Sequence, residues 1–209
     1  MRKLAFVLVA ILTAARPGIG NCGPLLNEVM ADPATDWNGD GAYDFKNDEW
    51  AEIINAGAAP LDLAGYFLGD ETGKFVYGFV GVLAAGGVAL VRGSDSVGWE
   101  SANGESTTGL RLGNDGDTIT LWRLVDSTPV LVDSYSYNTY EAEDDRSTGR
   151  TPDGGPTWSI YDSLNPYAGA TPPAGNGLAP TPGAPNAGGG GTPAVDSSWG
   201  AIKDLYVDP

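Results

Sequence analysis

Residues 25–55, LLNEVMADPATDWNGDGAYDFKNDEWAEIIN, constrain the fold more than any other stretch of the chain. Two short apolar runs, Leu25, Leu26, Val29, Met30 and Trp50, Ala51, Ile53, Ile54, flank a segment crowded with carboxylates. Each run is bounded by Pro, Gly, Asn or Asp, which suits strands. Between them stand Asp32, Asp36, Asp40, Asp44, Asp48 and Glu49 against a single Lys46. A helix would stack aspartates four residues apart on one face, where they repel, and Pro33, Gly39 and Gly41 oppose it as well. The segment is therefore read as a loop between two strands.

Downstream, residues 61–63, 66–68, 74–80 and 87–91 form short apolar runs separated by Gly, Asp or Asn. Residues 118–124 (TITLWRL) and 130–137 (VLVDSYSY) are rich in the Thr, Val, Ile, Tyr and Trp that fit a pleated, half-buried surface. Residues 93–108 are polar and rich in Gly and Ser, and read as a long surface loop. Residues 126–129 read as a turn. No 3.6-residue period is sustained between residues 27 and 158, so the class is all-β, and the number of strands suits a sandwich over residues 25–164.

The ends of the chain read differently. Arg2 and Lys3 precede LAFVLVAILTAA and Arg16-Pro17, the layout of a secretory signal peptide over residues 1–20. This run is too short for the roughly 20 apolar residues of a membrane span. Ile19-Gly20-Asn21-Cys22 is similar to a lipobox, which makes Cys22 a candidate lipid anchor. Residues 165–195, with Pro172-Pro173 and four glycines at 188–191, read as a disordered Gly/Pro-rich linker, too poor in apolar surface to offset the entropy of ordering. In residues 196–209, Trp199, Ile202, Leu205 and Tyr206 would share one face of a short amphipathic helix or sorting tail.

Charge and composition exclude several functions. The net charge is −16, and beyond Arg16 the basic residues are scattered singly, so no stripe suits nucleic acid. With no His and one Cys, there is no His-dependent triad, His-ligated zinc or intrachain disulfide. The segment GDETGK, residues 69–74, approaches a phosphate loop but has one residue too few between its glycines, and Phe75 where Ser or Thr would meet magnesium. No spacing marks a pair of carboxylates as a glycosidase acid and base. The chain is read as non-enzymatic.

Asp36-x-Asn38-x-Asp40-Gly41 followed by Asp44 places oxygen ligands at positions 1, 3, 5 and 9 of an EF-hand-like calcium loop, with Gly at position 6. Asn47 occupies position 12, where a bidentate Glu belongs, and Asp48 or Glu49 are the substitutes. The other reading is a solvated acidic turn shaped by its Asn-Gly and Asp-Gly pairs. Trp37, Trp99, Tyr135, Tyr137 and Tyr140 are available to stack on sugars, whereas Trp50 and Trp122 lie in apolar strands and read as core. Arg150, among Asp144, Asp145 and Asp153, reads as a structural ion pair.

Taken in order, LNEVMADP at 26–33, NGDG at 38–41, DEWAEI at 48–53 with Asn55, and LAGY at 63–66 with Leu68 and Asp70 resemble the opening of a bacterial lamin-tail domain. GDTITL at 116–121, VDS at 132–134 with Tyr137, Gly149-Arg150, PDG at 152–154, Trp158 and TPGAPN at 181–186 continue the resemblance. It implies an immunoglobulin-like β-sandwich and a non-catalytic module of secreted or surface proteins, some of which carry nuclease or other hydrolase domains. The functional expectation is a secreted or cell-surface bacterial module that contacts an extracellular or envelope protein in adhesion or assembly. Calcium is expected in its acidic loop, and glycan binding is the alternative.

Overall fold

The computed structural model describes residues 23–70 and 73–186. The signal peptide, Cys22, the glycine run and the C-terminal helix expected from the sequence lie outside the described residues. Strand β1 (Pro24–Met30) leads through the acidic loop and the one-turn helix α1 (Phe45–Asp48) to β2 (Trp50–Asn55). Then follow β3 (Leu61–Asp62), β4 (Tyr66–Gly69), β5 (Phe75–Gly78), β6 (Val82–Leu83), β7 (Val88–Arg92) and helix α2 (Gly93–Ala102). The last strands are β8 (Gly116–Val125), β9 (Thr128–Asn138), β10 (Ser147–Arg150) and β11 (Trp158–Tyr161).

A five-stranded sheet, β11-β10-β1-β2-β7, and a four-stranded sheet, β5-β4-β8-β9, supply the two layers of an all-β, immunoglobulin-like sandwich, with β3-β6 as a small accessory pair. All pairings are antiparallel. Leu26, Val29, Ala51, Ile53 and Val91 from the first sheet join Leu68, Val76, Ile119, Leu121 and Tyr137 from the second in one core. Because β-strand side chains alternate between faces, Trp50, Glu52 and Ile54 point away from that core. They are buried nonetheless, as is every residue of β1 and β2. The outer face of the five-stranded sheet must therefore be covered.

Its cover is the segment the sequence assigned to a linker. Ser163 N–H donates to Leu178 O and Asn176 N–H to Ile160 O, and the chain then crosses the sheet to Asn186, which is fully buried. The folded unit thus runs past residue 164 to Asn186. This strap has few apolar side chains and is held by hydrogen bonds, a contribution that apolar composition does not reveal.

Residues 93–108 are not one loop, because the first ten form α2. Arg92 N–H donates to Asp95 Oδ2 at 2.9 Å, closing the first turn. The buried stripe is Gly93, Ser96 and Glu100, spaced as one helical face but without an apolar side chain. Ser96 Oγ donates to Val76 O at 2.8 Å. The Glu100 carboxylate accepts Thr108 N–H at 2.6 Å, Thr108 Oγ1–H at 2.7 Å and Gly109 N–H at 2.9 Å. Gly93 is required by close approach, since a Cβ there would stand 1.8 Å from Lys46 O. Trp50 is buried as expected, with 1% exposure, though on the outer face of the five-stranded sheet. Trp122 is not: it pairs in register with Phe67 on the outer face of the four-stranded sheet, where its Nε1 donates to Thr120 Oγ1. Glu100→Ala leaves three donors around one buried position unsatisfied, and is expected to lower unfolding free energy by about 3 kcal/mol in urea titrations.

Candidate functional site

Residues 32–49 are built around two carboxylates that face inward. Asp48, fully buried at the end of α1, accepts Trp37 N–H at 2.9 Å and Asn38 N–H at 2.8 Å on Oδ1, and Asp44 N–H at 2.7 Å on Oδ2. Asp145, from the β9–β10 connection, accepts Ala34 N–H at 2.9 Å, Thr35 Oγ1–H at 3.2 Å and Trp37 Nε1–H at 2.7 Å. Together they fix the path of the loop from both sides. Trp37 is tied down by this bond and by a tilted ring contact to Trp50, with centroids 6.2 Å apart.

The expected ligand residues act mainly on their own backbone. Asp36 accepts Gly39 N–H at 2.7 Å and Gly41 N–H at 2.8 Å, Asn38 Oδ1 accepts Asp40 N–H, and Asp40 accepts Ala42 N–H. Asp44 caps α1, accepting Lys46 and Asn47 N–H. Asp48 is committed to the loop interior, and Glu49 turns beneath the 110–114 loop, with Leu112 N–H 3.4 Å from its Oε2. Among the described residues no three Asp, Glu, His or Cys side chains gather to hold a metal ion. Each oxygen of Asp36, Asn38 and Asp40 that accepts an N–H keeps a second lone pair, so the donor chemistry suits a hard cation, but Asp48 and Glu49 do not join it.

Among its exposed carboxylates the loop also presents two aromatic side chains outward. Tyr43 and Phe45 are 55% and 65% exposed. The Tyr43 hydroxyl is pushed above its ordinary pKa by local desolvation and by the fields of Asp32, Asp144, Asp145 and Asp48. The other candidate aromatics are engaged elsewhere. Trp99 on α2 packs edge-on to Phe67, Tyr135 stacks on Trp158 at 3.7 Å and donates to Glu141, and Tyr137 is buried, leaving Tyr140 exposed. Arg150 is structural, as expected. Its guanidinium donates to Asp133 at 2.9 Å, to Leu26 O at 2.7 Å and to Gly155 O at 2.5 Å, and lies over the Trp158 ring.

A second set of carboxylates lies under the strap. Glu28 and Glu52 face each other across β1 and β2, both with no exposed surface. Glu28 accepts Ser147 Oγ–H at 2.5 Å and Thr181 N–H at 3.1 Å; Glu52 accepts Asn27 Nδ2–H at 2.9 Å and Gly183 N–H at 2.8 Å. Thr181 Oγ1 lies 2.5 Å from Glu28 Oε2 and 3.1 Å from Asn186 Oδ1, yet carries one proton. A protonated Glu28 donating to Thr181, with Thr181 donating to Asn186, satisfies every group. Asn186 completes the lock through Arg150 O at 2.7 Å, Asn27 O at 3.3 Å and a bond from its N–H to Asp153 at 3.0 Å. Burial raises Glu28 above the ordinary carboxylate range and pushes Glu52 and Glu49 up to about 8. None of this network was read as a site from the sequence. Most of its residues were present only as pieces of the family resemblance, LNEVMADP, DEWAEI, PDG and TPGAPN.

Two packed antiparallel sheets joined by a structured acidic loop define an immunoglobulin-like module. A family model described as Lamin Tail Domain matches residues 21–139, more than half of the chain, and the protein belongs to that family. The matched stretch ends where β9 does, so β10, β11 and the strap lie beyond it. No curated protein and no solved structure matches the chain.

Between about pH 4.5 and 8, Glu49 and Glu52 each hold in the folded state a proton that the unfolded chain has released. Their stabilising contribution is complete below pH 4.5 and is lost as pH rises through 8. Melting temperature is therefore expected to fall from pH 5.5 to 8.5, and Glu52→Gln should flatten that slope. Asn186→Ala strands buried carbonyls and should cost about 2 kcal/mol in denaturant titrations.

Proposed function

We propose that this protein is a non-catalytic binding module of the bacterial cell surface or exterior, which contacts a partner protein through its acidic loop. One observation carries the reading: Asp48 and Asp145 hold the loop in a defined shape while Tyr43 and Phe45 stand in solvent, ringed by carboxylates. Exposed aromatics on a fixed frame supply contact area at low entropic cost, and the surrounding charge selects partners with basic or neutral surfaces. The tryptophans that would have offered sugars a platform are packed, which favours protein contact over glycan binding. Family membership and the absence of His support a non-catalytic role. The signal-peptide layout of residues 1–20 supports the location.

A photo-crosslinking residue at position 45, introduced in the native host, is expected to trap a discrete surface protein, with the yield lost in Tyr43→Ala. Binding to a glycan array with no protein adduct would support the glycan alternative instead. In the same reading, Asp36, Asn38, Asp40 and Asp44 take calcium. Millimolar calcium is expected to raise the melting temperature by roughly 3 to 10 °C, with Asp40→Ala abolishing the shift. An unchanged curve between calcium and chelator at constant ionic strength would assign the loop to its backbone hydrogen bonds alone.

A further inference from the structure

The sandwich is polar along its length. One end carries the acidic loop, α2 and the 139–146 turn, with Asp36, Asp40, Asp44, Asp115, Glu143 and Asp144 all exposed. At the other end, the connections at residues 56–60 (AGAAP) and 79–87 (FVGVLAAGG) contain no charged residue. Val80 and Val82 are 82% and 70% exposed there, and Val125, Val130 and Leu131 on the β8–β9 hairpin are each close to half exposed. Backbone bonds join these pieces. Leu63 N–H donates to Gly81 O, Phe79 N–H to Tyr66 O, and Leu124 N–H to Gly65 O, so the ends of β4, β5, β6 and β8 adjoin. Arg123 pairs with Val130, and the exposed charges nearby, Asp62 and Asp126 against Arg123, nearly balance.

The chain enters the fold at this end. Pro24 pairs with Asn55, whose Nδ2 donates to Ala59 O at 2.8 Å, Leu83 O at 3.0 Å and Ala84 O at 3.1 Å, so both uncharged connections meet beside the entry point. The segment that leads into Gly23 ends on Cys22, the candidate lipid anchor. Anything that ties that segment to a bilayer brings the uncharged end to the lipid and holds the acidic end away from anionic headgroups.

We propose that this end of the sandwich lies directly against a lipid bilayer, with Val80, Val82, Val125, Val130 and Leu131 as the contacting side chains. The acidic loop then faces outward. The proposal takes its setting from the surface location argued above, but the contact itself is a property of the folded domain and is tested on vesicles. The full-length chain, with Cys22→Ser so that one introduced thiol is unique, is labelled with an environment-sensitive fluorophore at Val82→Cys, Leu131→Cys or Asp40→Cys. Phosphatidylcholine vesicles are expected to shift the emission to the blue at positions 82 and 131 and leave position 40 unchanged. Val80→Asp combined with Val82→Asp and Leu131→Asp, with unaltered thermal unfolding, should weaken co-sedimentation on the order of tenfold. Co-sedimentation with unchanged emission at 82 and 131 would show attachment by the N-terminal segment alone and overturn the proposal. So would a failure to bind vesicles, or a blue shift that grows with protein concentration without lipid, which would assign the patch to a second copy of the chain.

Discussion

Two carboxyl groups facing each other in the dry interior, Glu28 and Glu52, set the terms for the rest of the structure. Neither has an ion pair with Lys or Arg among the described residues. Buried like charges without a counterion are unfavourable unless they are protonated and hydrogen-bonded. The fold supplies hydroxyl, amide and peptide donors from Ser147, Asn27, Thr181 and Gly183, two of which lie on the strap. The strap is thus more than an apolar cover: it is the solvent substitute for an acidic sheet face. Arg150 is turned to Asp133 on β9 and to Leu26 O on β1, where it ties the two sheets.

The acidic loop solves a related problem by other means. Asp48 and Asp145 sit among peptide N–H groups, while Asp36, Asp40 and Asp44 each brace a turn of their own backbone. Negative charge here replaces the hydrophobic packing that a segment with so few apolar side chains lacks. The same device recurs at Glu100, which organises the chain after α2. An unusually acidic composition is therefore partly architectural, with only the remainder free to shape the surface.

The strands were legible because they obey a simple pattern. Apolar runs bounded by Gly and Asp mark β1, β2, β4, β5 and β7, and the β-branched, aromatic-rich runs mark β8 and β9. The ordered motifs between residues 26 and 186 pointed to the family. What escaped notice has no apolar signature. Helix α2 buries Gly93, Ser96 and Glu100, so its stripe carries no hydrophobic period. The strap reads as low-complexity Pro and Gly because its anchors are one Thr, one Asn and a glycine N–H. At the loop, the residue types were recognised but not their partners. Asp145 stands about a hundred residues from the backbone it holds, and no local spacing announces it.

The first strand of the fold is completed last. β1 takes β2 as one neighbour, close in sequence, but its other neighbour is β10, and Glu28 meets Ser147 and Thr181 across separations of 119 and 153 residues. Closing such long loops is entropically unfavourable until the contacts that reward it are present. During synthesis, then, the outer face of the five-stranded sheet stays uncovered until residue 186 has emerged. Commitment to the native state is deferred until the strap has been made, and up to that point the chain keeps an unfinished sheet that is still open to threading.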